Sequence, residues 1–131
     1  MMKFFSKFKI FFYFTNFCLI FLYLFPGSLP GLVIYNDIKA QPQITQDFVI
    51  SSNHFYVFVL VSIIGFLTFL KPKQKKKLSI YLILLSIILE IFHLIVPERT
   101  FQWSDLFGNL FGAVIVILIN NFINKYGTFK K

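Results

Sequence analysis

Residues 71–96 read KPKQKKKLSIYLILLSIILEIFHLIV. A lysine clump opens the stretch, and an apolar run from Leu78 to Val96 follows it. An α-helix needs about 20 residues to cross the hydrocarbon of a bilayer, with a range of about 17–25. The run is continuous rather than alternating, which argues against a barrel strand. Its polar residues are Ser79, Ser86, Glu90 and His93. Their spacing places them on one helical stripe. A carboxylate near the middle of a membrane helix costs on the order of 3 kcal/mol, so Glu90 needs a partner or a task.

Similar runs flank this one. Ile10 to Phe25 is entered through Lys3, Lys7 and Lys9, His54 to Leu70 precedes the clump, and Phe101 to Phe122 follows. The pattern predicts an all-α chain, a four-helix transmembrane bundle with helices over about 8–25, 54–70, 78–96 and 104–122. All four belong to one domain over residues 1–131. Residues 26–53 are too polar to cross and form an outer loop, within which Leu32 to Tyr35 can dip into the interface or form a short helix. The first run is rich in Phe and Tyr, and no small-x-small cleavage site follows it, so it is read as a retained signal anchor.

Composition agrees. Of 131 residues, 57% are hydrophobic, 14% are charged and 20 are phenylalanine. Soluble domains carry about 25% charged residues, and a globule this small could not hide so much apolar surface. Low charge and high hydrophobicity also exclude disorder. The single cysteine, Cys18, excludes a disulfide framework and a cysteine-rich zinc site. The net charge of +8 comes from lysine clumps between apolar runs, not from a basic face mixed with exposed aromatics, so nucleic acid is not an expected partner. Lys3, Lys7 and Lys9, the 71–77 clump, and Lys125, Lys130 and Lys131 lie in alternate connections. By the positive-inside rule those segments face the cytoplasm, and both termini with them. The expected location is the cell inner (cytoplasmic) membrane, crossed several times.

The last run carries a second polar stripe of Asp105, Gly108, Asn109 and Gly112. Gly108 and Gly112 form a small-xxx-small pair, a helix-packing signal. His54 opens the second run. Polar residues of three helices thus meet at one level, in the outer half of the membrane. Arg99 is the only arginine in a lysine-using chain, which suggests a need for the planar, two-pronged guanidinium. Its expected partners are Glu90, Glu98 and Asp105, or an anionic ligand. His54 and His93 could join Glu90 and Asp105 as metal ligands, but a lone Glu-x-x-His is weak because bundle metal sites use two such motifs and further carboxylates, so no metal and no cofactor are expected. Trp103 reads as an interface anchor. No triad signature, P-loop or dinucleotide motif is present, and the chain leans away from being an enzyme.

The segment from Glu90 to Gly112 resembles the VanZ-like family, named for a protein tied to teicoplanin resistance. Glu90, Arg99, Asp105, Asn109 and Gly112 match that family's signature in order and spacing. His93 stands where the family usually has glutamine. His54 matches its histidine, but Ile50 and Ser51 replace the usual Asp-Lys pair. The resemblance implies a bacterial cell-envelope protein and no particular reaction. The expected function is a polar pocket in the outer half of the bilayer, built from Glu90, Arg99, Asp105, Asn109, His54 and His93. Its candidate ligands are membrane lipids, including an anionic lipid or lipid-linked cell-wall precursor, or a glycopeptide, with glycopeptide resistance as a candidate role. The sequence points to no protein partner. Two alternatives stand beside it: a membrane enzyme with Glu90 as acid or base, and a purely structural subunit whose polar cluster is satisfied internally.

Overall fold

The computed structural model describes residues 2–127, with side chains described from Phe8 onward. Lys130 and Lys131 lie outside the described residues, as do the side chains of Lys3 and Lys7. The chain is all-α, with five helices and no strand among the described residues: α1 (Met2–Leu24), α2 (Leu29–Tyr35), α3 (Ser52–Thr68), α4 (Pro72–Phe92) and α5 (Trp103–Tyr126). The four long helices lie side by side, and α5 packs most extensively on α3.

By length and composition α5 alone qualifies as a membrane span among the described residues. Phe8–Leu24 and α2 qualify only as one span broken by an 81° bend, and α3 is apolar but shorter. The sequence predicted four spans. The difference is clearest at α4. Pro72 is pre-set for a first helical turn, so α4 begins at Pro72 rather than Leu78 and absorbs the lysine clump. At its other end α4 stops at Phe92, not Val96. Pro97 disfavours helical geometry at the residue before it, and the chain tightens into Leu94 N→Ile91 O and Ile95 N→Phe92 O bonds. Glu90 therefore sits in the last turn of α4 rather than deep within it.

Two ends of the molecule differ in chemistry. At one end the Thr68 hydroxyl donates to the Phe8 carbonyl, and Lys75 Nζ donates to Asn120 and Asn124 Oδ1. The start of α1, the α3–α4 connection and the end of α5 are thus gathered there. At the opposite end Ser51 N donates to Ser104 O, so α3 and α5 start together and run parallel. Their close approach rests on glycine. A Cβ on Gly112 would lie 2.5 Å from the Phe55 carbonyl oxygen, and one on Gly108 2.7 Å from that of Ser51. Asp47 Oδ1 accepts from Ser52 N at 2.9 Å, starting α3 two residues earlier than expected.

The connection from α1 to α3 is ordered by its own bonds. Gly27 turns the chain at φ 84°, where a side chain would be strained. Ser28 Oγ accepts from Gly31 N and caps α2. Asn53 holds the later part, donating to Pro42 O and accepting from Ile44 N.

Candidate functional site

The buried face of α1 follows from Phe12, Leu19 and Tyr23, at helical spacing. It delivers Tyr23 to the end of the bundle opposite the lysines. There Tyr23 meets the polar stripes of α3, α4 and α5. Its hydroxyl donates to Asn109 Oδ1 at 2.6 Å and lies 3.0 Å from His54 Nδ1. Its ring stacks on His93 and meets His54 edge-on.

The hydrogens in this group follow from the partners. The Tyr23 hydroxyl hydrogen points at Asn109 Oδ1, so both Tyr23 and Asn109 present acceptors to His54 Nδ1, 3.0 Å from each. Nδ1 therefore carries the His54 hydrogen and donates. Asn109 Nδ2 donates to Ser86 O, 3.2 Å away on α4. His93 Nε2 lies 3.0 Å from the Tyr23 carbonyl, which only accepts, so Nε2 bears a hydrogen. His93 Nδ1 then faces Glu90 Oε2 at 3.2 Å. Glu90 Oε1 accepts from Gln102 N at 3.0 Å, which ties the end of α4 to the start of α5. Glu90 and Asn109 are both 0% exposed.

His54, His93, Glu90, Asp105 and Asn109 are thus brought into one cluster. His54 Nε2 lies 3.6 Å from Asp105 Oδ2. One ligand-capable atom each from His54, Glu90 and Asp105 lies within 4.8 Å of the others, a juxtaposition that the sequence reading weighed as metal ligands and set aside.

Arg99 is the correction. No carboxylate lies within ion-pair distance of it among the described residues. Instead Nε donates to Phe25 O at 3.2 Å and the second terminal nitrogen to Leu22 O at 2.9 Å. Those carbonyls end α1, where the last helical turn leaves acceptors without intrahelical partners. A cation at a helix C-terminus also complements the helix dipole. Partial burial pulls the guanidinium pKa below its ordinary value, while Asp105 and Glu90 act in the opposite direction. The turn that sends Arg99 across to α1 passes through Glu98 at φ 58°, a left-handed conformation.

Beside the cluster lies a cavity of about 490 Å³ between α1 and α3. Its walls include Leu19, Leu22, Val57 and Leu60, and its polar end holds Tyr23, His54, Asn53 and Arg99. The connection between α2 and α3 roofs it with Gln41, Pro42 and Ile44. Tyr23 was missed by sequence reading. The signal was the spacing of Phe12, Asn16, Leu19 and Tyr23, hidden among other aromatics on α1.

A family model described as VanZ/LLP1 matches residues 6–124. No curated protein and no solved structure matches the chain.

Proposed function

The chain belongs to the VanZ/LLP1 family, and for this member we propose a multi-pass membrane protein that holds an anionic lipid in the cavity between α1 and α3. One observation carries the reading: the cavity is apolar along its length and charged at one end. Lipid tails suit Leu19, Leu22, Val57 and Leu60, and a phosphate-bearing head group suits Arg99. Two Arg99 nitrogens are spent on α1 carbonyls. The third has no partner among the described residues and remains a donor for an anion. The volume falls within the roughly 300–1,000 Å³ of ligand sites.

The membrane setting is supported by the exposed apolar faces. Phe11, Phe14, Phe17 and Phe21 on α1 and Phe111, Ile115, Leu118 and Phe122 on α5 all point outward. Such surface far exceeds a soluble monomer's usual apolar patch. The lysine end fits the cytoplasmic side, which puts both termini inside and the cavity in the outer half of the bilayer. Phe48 and Val49, at the exposed tip of the outer connection, would rest in the head-group layer. The envelope setting and the class of a lipid-linked precursor follow from the same reading.

The lipid reading is tested by native mass spectrometry of protein released from vesicles of equal phosphatidylglycerol and phosphatidylcholine. Wild type should retain phosphatidylglycerol preferentially. Arg99→Gln should lose the preference, and Val57→Trp, which fills the cavity, should lower retention of both lipids. Equal retention of the two lipids by wild type would overturn it. The topology is tested separately. In a Cys18→Ser background, cysteines at Asp37 and Arg99 should react with an impermeant reagent added to intact cells, and one at Lys75 should not. Labelling at position 75 would invert the orientation and move the cavity to the inner leaflet.

A further inference from the structure

We propose that His54 Nε2, Asp105 and Glu90 hold a divalent transition-metal ion of zinc's class at the end of the bundle opposite the lysines. This goes beyond the lipid reading and does not depend on it.

The first argument is distance. His54 Nε2 and Asp105 Oδ2 lie 3.6 Å apart, which is long for a hydrogen bond. Two ligand atoms each about 2.1 Å from one tetrahedral ion are separated by about 3.4 Å. The pair is spaced as ligands are. All three ligand atoms lie within 4.8 Å of one another, and a bound ion would draw them to ligand spacing.

The second is the hydrogen on His54. Nδ1 is committed as a donor toward Asn109 Oδ1 and Tyr23 Oη. That leaves the Nε2 lone pair directed at a carboxylate, an arrangement a cation between them relieves. Metal-binding histidines characteristically donate their other ring hydrogen to a carbonyl oxygen or similar acceptor, which fixes the ring. Asn109 is in that position here.

The third is the buried carboxylate. Glu90 is fully buried, and Oε2 makes no hydrogen bond despite its approach to His93. Buried charges are paired or coordinate metals. His93 is the one basic side chain beside it, at 3.2 Å, and Arg99 is turned to α1 instead. One imidazole and two carboxylates make a borderline ligand set suited to zinc, with the fourth tetrahedral position left open. An entry path exists, because His54 also lines the cavity.

The test uses full-length protein in detergent, purified through a tag without histidine and stripped with EDTA. It is titrated with zinc chloride alone, and metal is quantified after gel filtration. A single zinc per chain is expected. His54→Asn and Asp105→Asn should each weaken binding by more than about 100-fold, and Asn109→Ala by about 10–100-fold through the lost ring anchor. Cys18→Ser should change nothing. Zinc absent from wild type, or held equally by His54→Asn and Asp105→Asn, overturns the proposal. Should those variants fail to fold, cobalt in the wild type decides. Intense visible bands that zinc abolishes support the site, and their absence overturns it.

Discussion

Gly112→Leu is expected to abolish the native packing of α5 on α3. A single Cβ at this position would already lie 2.5 Å from Phe55 O and 2.9 Å from Phe58 Cβ. The first contact is backbone in the first turn of α3, so no rotamer change relieves it. Overpacking usually costs about 1–3 kcal/mol where side chains can shift, and here the helices must separate instead. Separation also pulls Asn109, three residues away on the same face, from its partners on α1, α3 and α4. Gly112→Ala should cost about 1–3 kcal/mol, and Gly112→Leu more than that. The check is helical circular dichroism on heating in detergent. Ile119→Leu, on the exposed face of the same helix, should melt as wild type does. A Gly112→Leu protein that also melts as wild type would mean that α3 and α5 do not approach this closely.

Asn109→Leu is the second large effect, for a different reason. The side chain is nearly isosteric, so little space is lost. What is lost is the partner of the Tyr23 hydroxyl, of His54 Nδ1 and of the Ser86 carbonyl. A buried group left without its partner costs about 1–3 kcal/mol in water-soluble proteins. Within membranes interhelical hydrogen bonds average nearer 0.6 kcal/mol, because the unfolded helices find other partners. Three bonds at one residue between these limits give about 2–9 kcal/mol. Asn109→Asp keeps the acceptor and loses the donor to Ser86, so it should fall between wild type and Asn109→Leu. Unfolding in mixed micelles titrated with sodium dodecyl sulfate measures the order. An Asn109→Leu protein as stable as wild type would show that the cluster is wet and satisfied by water.

Helical periodicity made most of this arrangement legible. Ser86, Glu90 and His93 share a stripe, and so do Asp105, Gly108, Asn109 and Gly112; burial follows those stripes in the structure. The family resemblance rested on the same residues, and the family match over residues 6–124 agrees with it. Three things were not legible. The lysines of residues 71–77 looked like a loop because charge dominated the reading, whereas Pro72 starts a helix and Lys75 finds Asn120 and Asn124 on α5. Arg99 looked like a partner for carboxylates because those were its neighbours in sequence. Its partners are carbonyls at the end of α1, and backbone acceptors at a helix terminus leave no mark in side-chain chemistry. Tyr23 escaped for the opposite reason, since one tyrosine among many aromatics carries no distinct signal until the helices are packed.

Three carbonyls close to the end of α1 are held by side chains made much later. Tyr23 O waits for His93, 70 residues on, and Phe25 O waits for Arg99, 74 residues on. α1 therefore leaves the ribosome before the other described helices and is among the last to be locked. During synthesis these carbonyls stay without their partners until the α4–α5 connection arrives. A chain stalled before His93 would carry every described helix up to α4 yet lack this lock.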